Sequence, residues 1–306
     1  MTRETSHEHP LFSVVVTCYN DGAFIDEAIQ SVEKSTYPNI EIFIVDDHSS
    51  DQDTIRKLDE FEKKGYVVLR KESNRGVSDS RNEGIARIRG SYVLTLDADD
   101  LIHPSYLEKA MQQFSKGYSI VYCNVKNFGE INSIRIAPEF SIPLLLTGNF
   151  VASCSAFTKE MWKLAGGFDV NMKCYEDWEF WVNLCGKGGK FIHINEVLFE
   201  YRRKVSSLNS KCEDPKIRAQ TVEYVCKKHT NLYQQYVTEI VPNLHRVVSS
   251  LERDILQIEE LAGKGNITEL YNRAKLAEAE LENRTAFYEN SFFWKLKRIS
   301  DKILGR

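Results

Sequence analysis

"YVLTLDADDLIHP", residues 92 to 104, frames the question that decides the fold. An apolar, β-prone run leads straight into Asp97, Asp99 and Asp100, with no cationic residue adjacent in sequence. Three carboxylates so close together repel one another, and at the end of a buried strand they are costly unless a cation or hydrogen-bond donors neutralise them. A second run, "FIVDDHSSD" (43–51), ends the same way on Asp46 and Asp47. Both belong to a series. "LFSVVVT" (11–17), "IEIFIV" (40–45), "YVVLR" (66–70), "SYVLTL" (91–96) and "SIVYCNV" (119–125) read as strands, the first buried on both faces. Helical spacing fills the gaps. It runs through 21–38 with Phe24, Ala28, Ile29 and Val32 on one face, and through a helix capped by Asp51 with Ile55, Leu58 and Phe61 inward. It continues in "SDSRNEGIARIRG" (78–90), ending at Gly90, and in "SYLEKAMQQF" (105–114). Strands alternating with helices predict an α/β fold with a mostly parallel sheet flanked by helices. Ligands of such sheets bind outside the carboxyl ends of the strands, where these acids sit.

Past residue 125 the pattern loosens. "VASCSAFTKEMWKLAGGFD" (151–169) predicts a strand, a short helix and a glycine turn; "YEDWEFWVNLCGKGG" (175–189) predicts an amphipathic helix, and "KFIHI" (190–194) a strand. From about residue 209 the strand signal stops. Val248, Leu251, Ile255, Ile258 and Ala262 step at heptad spacing, "GKG" (263–265) breaks the run, and Ile267, Leu270, Ala274, Ala277 and Leu281 resume it, as in an αα-hairpin or short coiled coil. "NSFFWKLKRISDKILGR" (290–306) is basic and amphipathic, suited either to an anionic membrane surface or to packing on the coiled coil or a second subunit. The expected organisation is a tail at 1–10, a catalytic domain at 11–208 and an α-helical extension at 209–306, with homo-oligomer contacts through 244–290 and peripheral membrane contact through 290–306.

Composition excludes several classes. The 306 residues are 42% hydrophobic and 27% charged, with a net charge of -4, so no overall basic field points to nucleic acid. No apolar run approaches the ~18 residues of a membrane span, and the polar start lacks a signal-peptide core, so a cytoplasmic protein is expected, peripheral to the membrane at most. Seven scattered cysteines without a CxxC pair read as reduced, buried thiols. The glycosylation patterns at Asn266 and Asn283 are read as coincidental.

Helix capping or turn formation would explain either acidic strand end alone. Two on one sheet edge favour a site for a nucleotide and a hard divalent cation, which joins one or two carboxylates to phosphate oxygens. The loop after the first strand, "TCYNDGAF", has one glycine, and no GxGxxG or GxxxxGK[ST] occurs. Phosphates must then be held by metal and cationic side chains. "NRGVSDSRNEG" (74–84) offers Gly76 for close backbone approach and Arg81 on the following helix.

The ordered set "TCYND", "VDDHSSD", "NRGVSDSRNEG", "LDADD", "GGFD" and "YEDWEFW" resembles the family 2 glycosyltransferases, with a Rossmann-like GT-A fold, over roughly residues 11 to 205. The resemblance implies inverting transfer of a sugar from a nucleotide-sugar donor, foremost UDP-linked, to a glycan or lipid-linked acceptor. It implies that Thr17, Tyr19 and Asn20 contact base and ribose, that Asp47 accepts from the uracil N–H while Asp46 orients the loop, and that Asn74 and Arg81 line the donor pocket. An ion pair between Arg81 and the acids is compatible with that role. Asp97 would contact ribose or sugar, Asp99 would coordinate Mg²⁺ or Mn²⁺, and Asp100 would assist or cap the turn. Asp177 would be the general base, with Glu176 beside it in a positioning role; both acids also suit a helix's first turn. Gly167, Glu176 and Trp178 are placed at the acceptor and sugar pocket, although Trp178 and Trp181 also read as core. Two departures stand out. Cys18 replaces the usual proline of "PxYN", and "YRRKVSS" places Lys204 where many members have a histidine, so a phosphate-pairing cation replaces a metal-reaching group. His103 and His193 read as ordinary histidines. A sugar-phosphate nucleotidyltransferase, or a catalytically silent scaffold acting through its helices, are the alternative functions.

Overall fold

Alternate side chains of the first strand, β1 (Phe12–Cys18), enter two different cores. Phe12, Val14 and Val16 join one apolar cluster and Val15 the other, as the two-residue period of a strand requires. The strand is buried along its whole length. The computed structural model describes residues 9–204 and 214–263. Through the first half the elements alternate as expected: α1 (Ile25–Glu33), β2 (Ile40–Asp46), α2 (Gln52–Lys63), β3 (Val67–Arg70), α3 (Val77–Arg87) and β4 (Tyr92–Asp97). Asp51 caps α2 by accepting from the Thr54 amide at 2.8 Å. β3, β2, β1 and β4 lie in that order, all parallel, so β1, β2 and β4 bring Cys18, Asp46 and Asp97 to the same edge.

Beyond β4 the chain runs through β5 (Leu101–Ile102), α4 (Tyr106–Phe114), β6 (Ile120–Gly129), β7 (Ser133–Arg135), α5 (Ile142–Thr147), β8 (Ala156–Thr158), α6 (Lys159–Ala165), α7 (Glu176–Gly186) and β9 (Phe191–Arg203). The sheet is therefore mixed: β8 pairs antiparallel with β4 and β6, β5 pairs antiparallel with β9 and β7 with β6, while β6 and β9 pair parallel. Its order is β3-β2-β1-β4-β8-β6-β9-β5. The parallel half follows from the βαβ alternation; the strand expected within 151–169 is the three-residue β8, and its antiparallel insertion between β4 and β6 is a pairing that local pattern does not encode.

Two expectations are corrected here. β9 does not stop at residue 194 but continues to Arg203, accommodating register shifts opposite Cys123–Val125. Its far end pairs with β5, Leu101 opposite Glu200, which carries "YRRK" to the turn that follows β4. α7 is not amphipathic: Trp178 to Cys185 are all buried. Its outer side is covered by α5 and by the two helices that follow, α8 (Pro215–Lys228) and α9 (Thr230–Gly263). Val225 and Ile240 join the same cluster as Trp178 and Trp181, and the Tyr233 hydroxyl donates to the Leu146 carbonyl at 2.9 Å. α1, α2 and α4 pack on the opposite face of the sheet.

α9 runs without a break past Pro242 to Gly263, the first residue of "GKG". The second half of the expected hairpin, the basic segment 290–306 and both glycosylation patterns lie outside the described residues. Among the described residues no helix is long and apolar enough to cross a membrane, and no disulfide joins the cysteines.

Candidate functional site

The carboxyl edge of β1, β2 and β4 meets the start of α3, the start of α7 and the end of β9. Arg81 ties it together. Fully buried on α3, it donates to Asp97 through Nη2 at 3.0 and 3.2 Å and to Glu176 through Nη1 at 3.0 Å. Burial opposes its charge, but Asp97, Glu176 and Asp177 outweigh burial and raise its pKa. One guanidinium thus joins the acidic end of β4 to the "ED" pair opening α7. Asp97 also accepts from the Thr17 hydroxyl at 2.8 Å, locking β4 to β1.

Asp177, in the first turn of α7, accepts from Asn149 Nδ2 and from the Trp178 amide, each at 2.8 Å. Burial, then the charge of Glu176, pushes its carboxyl up to about 6, while Arg81, Asn149 and the Trp178 amide pull the other way. A carboxylate poised there can take a proton near neutral pH. Asn149 Oδ1 is buried with no hydrogen-bond partner among the described residues. Tyr175, immediately before α7, holds φ at 56°; Asn20 (58°) and His48 (66°) in the neighbouring loops share that left-handed conformation. These are the non-glycine residues with positive φ among the described residues, and all border the site, as stored backbone strain at functional sites often does.

The three acids of "DADD" differ. Asp97 is held by Arg81 and Thr17. Asp100 is buried, accepts from the Arg202 amide at 2.8 Å, and leaves Oδ2 without a hydrogen-bond partner; burial and then Asp99 and Asp97 raise its pKa well above the usual carboxylate range. It shapes the turn. Asp99 meets Lys204 at 2.7 Å, and Lys204 also meets Asp21 at 2.7 Å. Burial and Asp97 raise the Asp99 pKa, against the pull of Lys204. Arg202 completes the assembly: its Nε donates to the Asp99 carbonyl at 2.8 Å while its guanidinium lies 4.6 Å from the Phe24 ring and 4.4 Å from the Phe128 ring.

No group of three or more His, Cys, Asp or Glu side chains among the described residues is arranged to hold a metal ion. With Asp97 engaged by Arg81 and Asp100 turned inward, Asp99 remains. It fits a hard divalent cation as the single protein carboxylate of a site completed by phosphate oxygens, in competition with Lys204.

Asn20 and Asp47 act here as fasteners. Asn20 Oδ1 accepts from the Ser50 and Asp51 amides, joining the first loop to the second. Asp47 is buried and accepts from Lys71 Nζ at 2.5 Å, the Arg75 amide at 3.0 Å and the Gly76 amide at 2.8 Å. Gly76, at φ 88°, gives the chain the turn that aims those amides at Asp47. Asp46 holds its own loop through the Ser49 amide and hydroxyl. Tyr19 is 44% exposed beside these loops, its face open to a ligand, and Asn74 is exposed on the loop before α3.

Trp178 is corrected: it is fully buried, its indole N–H donating to the Leu145 carbonyl at 2.7 Å, so it is core and no wall of an open pocket. Gly167 is likewise buried, facing Asn82. Asn82 is one of the residues that the sequence did not single out. It donates to the Phe168 carbonyl and accepts from the Phe168 amide and the Trp162 indole, clamping "GGFD" to α3. Asn149, Asp21 and Lys71 were also missed. Asn82 sits inside a recognised motif and was findable there; Asn149 comes from an irregular stretch that gives no local cue.

Residues 13–158 match the family described as Glycosyl transferase family 2. The chain is 28% identical over 206 residues to the chondroitin synthase of Pasteurella multocida, covering 64% of this chain but 21% of that protein's length. The fold is similar to that of S. aureus TarS 1–349, solved in complex with UDP-GlcNAc (TM-score 0.58, 19% identity, 74% of this chain and 73% of that one). It is also similar to the mannosyltransferase PcManGT from Pyrobaculum calidifontis, solved with GDP-Man and Mn2+ (TM-score 0.55, 16% identity, 90% and 88%). With its parallel βαβ half ending in "VDD" and "DADD", and with Arg81 joining the latter to the "ED" of α7, the structure agrees with that match: residues 13–158, just under half of the chain, form a region of the glycosyl transferase family 2 type.

Proposed function

We propose that the protein is an inverting glycosyltransferase that moves a sugar from a nucleotide-sugar donor, foremost a UDP-sugar, to a glycan or lipid-linked glycan at the cytoplasmic face of a membrane. The observation that carries this reading is the Arg81 bridge, because it joins the acidic turn after β4 to the Glu176–Asp177 pair that opens α7. The donor lies over the first two loops, its base against Tyr19 and its diphosphate toward Asp99 and Lys204. Thr17 and Arg81 fix Asp97 for a ribose or sugar hydroxyl. Asp177 takes the proton of the acceptor hydroxyl as that oxygen attacks the anomeric carbon from the side opposite the diphosphate, which inverts the configuration. Burial, and after it the charge of Glu176 held by Arg81, sustains the raised pKa that suits Asp177 to this task. A divalent cation, Mg²⁺ or Mn²⁺, held at Asp99 would offset charge on the departing nucleoside diphosphate.

The test is a screen of nucleotide sugars for protection against thermal unfolding, with and without Mn²⁺, followed by release of nucleoside diphosphate from the protecting donor. Asp177→Asn is expected to abolish transfer while leaving donor binding within a fewfold of the parent. Absence of protection by every nucleotide sugar, or full activity in Asp177→Asn, would overturn the assignment.

A further inference from the structure

Lys204 occupies a position that the proposed mechanism leaves partly unexplained. Its ammonium lies 2.7 Å from Asp21 and 2.7 Å from Asp99, two carboxylates from loops far apart in the chain. Its stem passes the Phe24 ring, with Nζ 5.0 Å from the centroid. The neighbouring Arg202 is fully engaged by the turn carbonyl, Glu27 and two rings, so it holds the turn but leaves both carboxylates to Lys204. Lys204, Asp21 and Asp99 keep about a sixth to a quarter of their side chains exposed (24%, 24% and 15%), so the ammonium can swing away without crossing a packed core. A lysine is suited to that movement, being a compact charge on a flexible four-carbon stem.

We propose that Lys204 is the resident cation of this site: it neutralises Asp21 and Asp99 in the donor-free protein, keeps a divalent ion off Asp99 until a nucleoside diphosphate arrives, and then pairs with that diphosphate. The last step rests on the glycosyltransferase reading; the first two do not. With the ammonium 2.7 Å from Asp99 Oδ2, a divalent ion on the same carboxylate would stand beside a positive charge, so it binds weakly unless Lys204 moves away. Arrival of the diphosphate reverses the balance. Its negative charge draws the ammonium away and supplies the extra oxygen ligands that a hard cation needs. Diphosphate binding is thereby made largely independent of metal.

Two measurements separate these parts. The first titrates Mn²⁺ into nucleotide-free protein and follows free Mn²⁺ by electron paramagnetic resonance. Lys204→Met is expected to bind Mn²⁺ about tenfold or more tighter than the parent, and Lys204→Arg to match the parent because it keeps the charge. The second measures binding of UDP, GDP, CDP and dTDP by calorimetry in EDTA. The parent is expected to bind one of them, and Lys204→Met to bind it about tenfold more weakly. Unfolding midpoints are taken first, and Lys204→Gln replaces Lys204→Met if the latter is unfolded. Equal Mn²⁺ affinity in the parent and the neutral variant would overturn the resident-cation role whatever the nucleotides do. Equal nucleotide affinity in EDTA would overturn the diphosphate pairing. Failure of the parent to bind any of the four with or without Mn²⁺ would instead overturn the glycosyltransferase reading and the diphosphate pairing with it, leaving the Mn²⁺ result to decide the rest.

Discussion

The pH dependence of transfer tests the assignment of Asp177 most directly, because two neighbours should move it in opposite directions. With its carboxyl pushed up to about 6, Asp177 limits the acid side of the profile. At pH 5 about a tenth of it is ionised and at pH 7 about nine-tenths, so kcat/KM should rise roughly tenfold across that range and level off above it. Asn149 donates to the ionised carboxylate at 2.8 Å. A hydrogen bond to a charged group contributes about 1.5 kcal/mol, which corresponds to about one pKa unit, so Asn149→Ala should move the midpoint to about pH 7. Glu176 raises the pKa by like-charge repulsion, so Glu176→Gln should move the midpoint below that of the parent. The assay is release of nucleoside diphosphate in the presence of acceptor, at subsaturating donor, from pH 4.5 to 8.5 in a constant-ionic-strength buffer. Midpoints that move together, or that stay fixed in both variants, would refute the reasoning.

Three further outcomes follow from the same geometry. Asp177→Asn should stabilise the protein at pH 7 by about 1–3 kcal/mol in urea unfolding; a native pKa above the unfolded value makes the carboxyl's contribution fall as pH rises from about 4 to about 6, so the gain should vanish below about pH 4, and a gain persisting at pH 3 would contradict it. Arg81→Met should lower stability by about 3–5 kcal/mol in the same measurement, because it leaves Asp97 and Glu176 facing each other without their shared cation; a loss under about 1 kcal/mol would show that the bridge is not structural. Gly167→Ala should cost about 1–3 kcal/mol and reduce transfer, since the residue holds φ at 88° and a Cβ would meet Asn82 Oδ1 at 2.6 Å; a midpoint unchanged in thermal unfolding would mean that the "GGFD" loop adapts freely.

Much of this was legible in the chain itself. The β-branched runs of β1, β2 and β4, each followed by a helical period, determine a parallel sheet whose carboxyl edge collects acids, because strand and helix periodicities are local properties. The ordered motifs then point to the family that residues 13–158 match. Local pattern could not say what lies opposite what. That Arg81 spans Asp97 and Glu176, that Asp177 leans on Asn149, and that β9 runs on to deliver Arg202 and Lys204 to the "DADD" turn are all pairings across long stretches of chain. Packing decided them. The amphipathic reading of α7 fails, and the choice between core and pocket for Trp178 stays open in sequence, for the same reason: their apolar character is visible there, but whether the second face of a helix meets water or α5, α8 and α9 depends on elements remote from it. The sequence determined which residue types could neutralise so much negative charge; only the tertiary structure decided that Arg81 pairs with Asp97 and Glu176 and that Lys204 pairs with Asp21 and Asp99.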